Sequence, residues 1–434
     1  MLATEEIKLE KKLPKERHFK RLGDAAKYLN GRAFKPTEWE KEGLPIVRIQ
    51  NLNDHNAEFN YSSQIFDDRF LLKNGDLVFA WSASLGAYIW NRGRAWLNQH
   101  IFKVVPNEGV DKMYLYYAIT NVVAELYAKT HGSGMVHVTK GKFEETQIFL
   151  PLLPEQHRIV SKIEELFSEL DNAIATLKTT RQQLQTYRQS VLKHAFEGHL
   201  TKTWREAKKF SYNKFNTKSK RIEPLNRVEI SELTELPEKW EWIKIGQILD
   251  VFVGSTPSRK EKKYWEGKIN WVSSGEVRNN YINTSKEKIT ELGLANSATK
   301  IHPPGTVLIA MIGEGKTRGQ AAILNISAAH NQNTAAIRID KDIYVSKILF
   351  YYFIYTYEKN RNAGSGNNQK ALNKSIIENI PVPFCSIQEL NQIVSEIETR
   401  LSESDYLLQT INQQLTHAES LRQSILQRAF NGEL

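Results

Sequence analysis

Arg188-Gln-Ser-Val-Leu-Lys-His-Ala-Phe-Glu-Gly-His-Leu200 returns 234 residues later as Arg422-Gln-Ser-Ile-Leu-Gln-Arg-Ala-Phe-Asn-Gly-Glu-Leu434. The match extends upstream without a gap: 17 of the 42 pairs between residues 159–200 and 393–434 are identical. A repeat of this length decides the architecture, because it makes the chain one unit written twice. Weaker pairings carry it toward the start of each copy. Leu13-Pro14 with Leu22-Gly23 matches Leu236-Pro237 with Ile245-Gly246, and Gly75–Ala80 matches Gly305–Ala310. Asn98-Gln99 matches Asn331-Gln332, Gly132-Ser-Gly134 matches Gly364-Ser-Gly366, and Ile148 and Pro151 match Ile380 and Pro383. Each copy is a globular unit followed by a helix. The helices are alike and the globular units have diverged, as in a shared scaffold that carries two different reading heads.

The helical part of each copy has heptad spacing. Ile159, Ile163, Leu166, Leu170, Ala173, Leu177, Leu184, Tyr187 and Val191 step by three and four, with a weak position at Thr180. The second copy offers Ile393, Ile397, Leu401, Leu407, Ile411, Ala418, Leu421 and Ile425. Such a seam predicts a coiled coil, in which Ile163, Leu166, Leu170, Leu177, Leu184 and Val191 meet Ile397, Leu401, Ile411, Leu421 and Ile425. Two seams of equal length satisfy each other best when antiparallel, and helices of about 40 residues span roughly 60 Å. The alternative is two amphipathic helices, each packed on its own domain. Pro154 is tolerated in a first helical turn, and Gly198 and Gly432 stand where a helix ends.

Short apolar runs such as Leu44–Ile49, Leu77–Ala80, Ile269–Val272 and Val307–Ile312, bounded by Gly, Pro or Asn, predict strands. Met113–His131 and Ile343–Lys359 predict helices. The expected fold is α+β: two mixed α/β domains joined by two long helices in an antiparallel coiled coil, with an internal pseudo-two-fold repeat. The expected boundaries are 1–150 for the first domain, 151–200 for the first helix, 201–235 for a basic linker, 236–382 for the second domain and 383–434 for the second helix.

At 434 residues the chain has length for two to four domains. Its 41% hydrophobic and 25% charged residues exclude a wholly disordered chain. The lone Cys385 excludes a disulfide framework and a cysteine-rich zinc site, and agrees with a reducing, cytoplasmic setting. No apolar run reaches the ~18 residues of a membrane span. The first residues, Met1-Leu-Ala-Thr-Glu-Glu, lack the apolar core of a secretory signal. Lys plus Arg is 59 against 49 acidic residues, a net +10 that favours a polyanionic partner. Residues 201–227 hold nine Lys or Arg against Glu206 and Glu223, so this segment alone carries +7. It reads either as a solvated linker or as a basic strap along a phosphate backbone.

Catalytic patterns are scarce. Ala310-Met-Ile-Gly-Glu-Gly-Lys-Thr317 fits a relaxed P-loop, but Arg318-Gly-Gln-Ala-Ala-Ile-Leu continues as a strand where a phosphate-binding loop needs a helix N-terminus. The one Pro-Pro, in His302-Pro-Pro-Gly305, lacks the flanking residues of an amino-methyltransferase loop. Asp340 and Asp342 around Lys341 read as a solvated turn, and the 11 histidines make no metal-spaced pair. No catalytic residue, bound cofactor or metal is expected.

What remains suits recognition. Lys316, Thr317, Arg318 and Gln320 lie in a Gly-rich loop that allows close backbone approach, and their side chains reach phosphates or base edges. Ser82 and Ser84 lie in the corresponding loop of the first copy, Trp81–Gly86. Ser133, His137, Lys140 and Lys142 pair with Asn367, Asn368, Gln369 and Lys370 in matched loops. Arg32, Lys35, Arg259 and Lys260 follow the first glycine turn of each copy and are expected to hold phosphates. Asn98-Gln-His100 and Asn331-Gln-Asn333 are nearly identical, which suits a structural role as well as a reading one. Trp81, Trp96 and Trp265 are expected in cores.

With Pro151-Leu-Leu-Pro-Glu-Gln-His-Arg-Ile-Val160, the Arg188–Gly198 run, Gly254-Ser-Thr-Pro-Ser-Arg259, Tyr264-Trp-Glu-Gly267 and the Gly313–Gly319 loop, the chain resembles the specificity subunit of type I restriction–modification enzymes over essentially its whole length. The resemblance implies two target-recognition domains, each reading half of a bipartite, asymmetric site in double-stranded DNA. The helices would act as a ruler and as the docking surface for two modification subunits, which use S-adenosylmethionine to methylate adenine at N6. Two restriction subunits would add ATP- and Mg²⁺-dependent translocation and cleavage. Two domains on one face of B-DNA should sit about 10 bp apart. There are departures. The second helix start, Pro383-Phe-Cys-Ser-Ile-Gln-Glu, lacks the Pro-Glu-Gln form, and Arg400 and Ser404 replace Leu166 and Leu170. The competing readings are a self-sufficient methyltransferase or nuclease, and a coiled-coil scaffold with no DNA role.

Overall fold

The computed structural model describes residues 19–82, 84–129, 140–208, 221–313, 315–339, 343–363 and 371–434. The chain forms two compact units, one of Met1–Thr179 with Ile411–Leu434 and one of Thr180–Thr410.

The domain of the first unit has two four-stranded sheets. One is antiparallel throughout, in the order Ala26–Asn30, Ile101–Pro106, Leu77–Ala80, Gly86–Ile89. The other runs Asn60–Ser62, Leu44–Val47, Ala95–Leu97, Leu71–Leu72, and its central pair is parallel. Phe19–Arg21 pairs with Gln147–Phe149 and closes the domain at its two ends. The second unit repeats this plan. Asp250–Val253, Thr334–Arg338, Val307–Ala310 and Ala321–Leu324 form the antiparallel sheet, extended by Asn280–Ile282. Glu287–Ile289, Trp265–Val272 and Ala328–His330 form the other sheet, again with a parallel pair, and Glu241–Lys244 joins Pro381–Phe384.

The apolar strand runs in the sequence have a direct cause. Leu77 and Phe79 face one core, shared with helix Lys112–Lys129, while Val78 faces another with Trp90 and Leu97. Val307 and Ile309 likewise join one cluster, and Leu308 and Ala310 another. A strand covered on both faces carries no polar alternation.

Two helices of 44 residues, Leu153–Phe196 and Ile387–Phe430, complete the units. They run antiparallel. In the first unit Arg422 pairs with Asp171, and Arg158 Nη2 donates to the Leu434 carbonyl at 2.8 Å. In the second unit Arg188 pairs with Asp405. Asp171 and Asp405, like Arg188 and Arg422, are repeat partners, so one cross-helix ion pair is built twice. The seam between the helices holds Leu170, Ala418 and Ile425, with Leu166, Phe167 and Ile174 packed against them.

The predicted seam needs correction at several places. Leu421 is 39% exposed, Leu407 and Tyr187 are exposed and so is Ala173. The inward line instead takes buried Ile411, Ala418, Ile425 and Ala429 with half-buried Leu408, Leu415 and Arg422, and in the first helix half-buried Phe167 and Ile174. The reason is an apolar flank: Leu166 and Phe167 are both half-buried, so three-four spacing reads equally well one residue off. Ser404 holds the seam place of Leu170 at 1% exposure, and its hydroxyl has no hydrogen-bond partner among the described residues.

The strongest stretch of the repeat is explained by where the helices end. Leu192, Ala195 and Phe196 belong to the core of the second domain, together with Leu390, Ile393 and Ile397 from the start of the second helix. Leu426 and Ala429, with Phe430 beside them, belong to the core of the first domain, together with Ile159, Val160 and Ile163. Each helix thus starts on its own domain and ends on that of the other copy. The alternative of two helices each confined to its own domain is excluded. Both ends close identically. His199 N donates to His194 O at 2.8 Å and Gly198 N to Ala195 O at 3.2 Å; Glu433 N donates to Arg428 O at 2.9 Å and Gly432 N to Ala429 O at 3.2 Å. This is the Schellman pattern, with Gly198 at φ +73° and Gly432 at φ +72°.

The segment read as a linker is packed at both ends. Lys202–Ala207 and Arg227–Ser231 are helical. Arg205 Nε donates to Glu389 Oε1 at 2.8 Å, beside Thr201 and Trp240, which donate to the same nearly buried carboxylate. Arg221 pairs with Glu378 at 2.8 Å.

Candidate nucleic-acid interface

In each domain the first glycine turn crosses an Asn-Gln turn. A Cβ on Gly31 would run into the carbonyls of Leu97 and Asn98, and one on Gly254 into those of His330 and Asn331. The backbones bond across the contact, Arg32 N to Leu97 O at 2.9 Å and Ser255 N to His330 O at 3.0 Å. This crossing gives the shared Asn-Gln pairs a structural role in both copies.

Arg32 and Arg259, expected to hold phosphates, are already tied within the chain. Arg32 makes a bidentate pair with Glu38 and lies 4.2 Å from the centre of the Phe66 ring. Arg259 makes the same pair with Glu287 and lies 3.8 Å from the centre of Trp265. The Arg32 guanidinium, then the Lys35 backbone N–H, pulls the Glu38 carboxyl down to about 2. Arg259 likewise lowers Glu287. A phosphate at either arginine would compete with a formed ion pair. Lys35 and Lys260 remain exposed.

The Gly-rich loop divides in two. Lys316 is exposed, and Thr317 and Gln320 are half-buried. Arg318 is 8% exposed and its Nε donates to the Arg361 carbonyl at 3.1 Å, so its side chain fastens the loop rather than projecting from it. Tyr357 adds a second tie, donating to the Lys316 carbonyl at 2.6 Å. The loop runs on into strand Ala321–Leu324, not into a helix, which removes the P-loop reading. In the first domain Ser82 is buried at 9% exposure and Ser84 is half-buried. Lys140 Nζ donates to the Tyr28 carbonyl at 3.2 Å and lies 3.6 Å from Glu144, while Lys142 is exposed. Ser133, His137, Asn367, Asn368, Gln369 and Lys370 lie outside the described residues, as do Asp340, Lys341 and Asp342.

Sequence reading missed a cleft of about 240 Å³ in the first domain, lined by Phe34, Trp39, Arg48, Ile49, Gln50, Asn98, Gln99 and His100. Trp39 is 40% exposed and the Arg48 guanidinium lies 5.7 Å from its ring centre. His100 Nδ1 is buried with no hydrogen-bond partner among the described residues. The available signal was the dipeptide after strand Leu44–Val47, where Arg48-Ile49 in the first copy stands against the uncharged Ser273-Ser274 after strand Trp265–Val272 in the second. In the second domain His302 and His330 are buried with ring centres 5.1 Å apart. Burial pulls them down to about 4 and about 3, so both are neutral core groups. Among the described residues no group of three or more His, Cys, Asp or Glu could hold a metal, and no helix is long and apolar enough to cross a membrane.

Comparison with known proteins agrees with the repeated plan. The chain is 27% identical over 429 residues to the type I restriction enzyme EcoBI specificity subunit of Escherichia coli, covering 95% of this chain and 85% of that one. It is 23% identical to the MjaVIII specificity subunit of Methanocaldococcus jannaschii, over 98% and 94% of the two chains. Two solved structures share the fold, each at 18% identity. A chain from work on complex assembly and conformational transition of the type I R-M system superposes with a TM-score of 0.69, over 98% of this chain and 100% of that one. The HsdS subunit of Thermoanaerobacter tengcongensis does so at 0.57, over 97% and 98%. The family model described as the type I restriction modification DNA specificity domain matches twice, at residues 14–186 and 237–417, once on each copy of the repeat. The chain belongs to the type I restriction modification DNA specificity family.

Proposed function

We propose that this chain is the DNA sequence-recognition subunit of a cytoplasmic type I restriction–modification complex, with each domain reading one half of a bipartite, asymmetric site. The observation that carries the reading is one fold used twice with different reading surfaces. The glycine crossings and the clamped arginines recur in both domains, while the side chains around them differ. Two modification subunits dock on the long helices and methylate adenine N6 with S-adenosylmethionine; two restriction subunits supply ATP- and Mg²⁺-dependent translocation and cleavage. Exposed Tyr406, Leu407 and Leu421 on the second long helix support docking there. The chain itself binds no cofactor and catalyses nothing.

The test is co-expression with the companion modification subunit in a host lacking adenine methylation, followed by sequencing for N6-methyladenine. Methylation at a two-part motif with a fixed gap is the expected result. No methylation, with the partner bound here and active on another specificity subunit, overturns the reading.

A further inference from the structure

Strands Leu44–Val47 and Trp265–Val272 lead into the same tight turn, each closed by the same capping box. Arg48 N donates to Asn51 Oδ1 at 3.0 Å, and Ser273 N donates to Glu276 Oε2 at 2.9 Å. The turn therefore presents Arg48-Ile49-Gln50 in one domain and Ser273-Ser274-Gly275 in the other. The two positions differ in what they leave free. The Ser273 hydroxyl also donates to Glu276, at 2.9 Å. Arg48 is half-buried against Trp39, and among the described residues no carboxylate lies within ion-pair distance of it. Arg32 and Arg259, the clamped arginines of the two glycine turns, set the contrast.

A guanidinium fixed at its backbone, partly desolvated by an indole and lacking an anion retains its whole fork of donors. The cleft beside it adds Gln99 and His100, and Gln50 stands exposed at its rim. Two parallel N–H donors in a polar cleft match the paired acceptors O6 and N7 of guanine in the major groove. We infer that Arg48 reads a guanine in the half-site of the first domain, and that the second domain makes no such contact at the corresponding turn. This rests on the proposed function.

A phosphate oxygen would also satisfy the guanidinium, and the experiment separates the two. Methylated motifs are sequenced for the wild-type complex and for complexes carrying Arg48→Ala and Arg48→Lys, and affinities are measured on matched DNA. The expected result is a motif with one guanine whose preference falls about 5- to 150-fold in Arg48→Ala. The other positions and the whole second half keep theirs, which shows that the variant is folded. Arg48→Lys, which has no bidentate fork, should keep only part of the preference. An unchanged motif with uniformly weaker binding makes Arg48 a phosphate contact and overturns the inference while the proposed function stands. Unchanged motif and affinity remove Arg48 from the DNA altogether. A wild-type complex with no two-part motif overturns the proposed function itself.

Discussion

Replacing Gly198 and Gly432 by alanine, one at a time, puts the same change into the same motif in two settings. Both glycines end a long helix in the left-handed region, at φ +73° and +72°. An alanine there costs about 1–2 kcal/mol from backbone strain alone. Gly432 has nothing within 4 Å of an added Cβ, so Gly432→Ala should cost only that. At Gly198 the Cβ would strike the ring of Pro237 and come within 2.9 Å of Arg205 Nη2. Proline cannot swing aside, and Arg205 is held by Glu389. Overpacking of this kind adds about 1–3 kcal/mol, for a total of about 2–5 kcal/mol. Hydrogen exchange resolved by peptide reads each unit separately, which one melting temperature for two units would not. Asparagine tolerates the left-handed region, so Gly432→Asn should be nearly neutral and Gly198→Asn should not. Equal losses at the two glycines, or a larger one at Gly432, would refute the reasoning.

Three further outcomes are expected. Ser404→Ala removes from the helix seam a buried hydroxyl with no partner among the described residues and should stabilise the second unit by about 1 kcal/mol in denaturant unfolding; a loss would mean that the hydroxyl is bonded. Burial holds His302 and His330 neutral, helped by Arg338 and Lys300 at His302 and by His302 at His330, at about 4 and about 3, well below their ordinary value. Between those values and about 6.5 the unfolded chain binds more protons, so stability of the second unit should fall as pH drops, by on the order of 2–4 kcal/mol from pH 7 to 5. His302→Asn should flatten that slope, and an unchanged slope would dismiss the pair as its source. In the Gly-rich loop Lys316→Ala should weaken DNA binding and lower the salt slope by about 1, whereas Arg318→Ala should first raise hydrogen exchange across the loop. Equal exchange in both variants would count against the anchoring role of Arg318.

The repeat made the large-scale plan readable, because heptad spacing and strand punctuation depend on local sequence. Where the helices end was not readable. Leu192, Ala195 and Phe196, like Leu426, Ala429 and Phe430, make an apolar helix face whichever domain they bury against, and only the fold shows that each closes the other copy's core. The one-residue error in the seam has the same origin, since Leu166 and Phe167 are both apolar. Site residues were harder still. A sequence does not show that Arg32 and Arg259 face Glu38 and Glu287, or that Arg318 turns inward to a carbonyl. Arg48 escaped notice because its significance comes from Trp39 and the Asn98–His100 turn, brought beside it by a parallel strand pair.

The first domain depends on residues made about 280 positions after its own last strand, Gln147–Phe149. Domains usually fold in the order of their synthesis, N-terminal first. Here the second unit, Thr180–Thr410, is continuous in the chain, whereas the core of the first waits for Leu426 and Ala429. On the ribosome the order of completion is reversed, and the earliest-made domain spends most of translation with an open apolar socket. A stop codon near position 425 would therefore damage the N-terminal domain and spare the later one. It would also leave that socket as a landing place for chaperones.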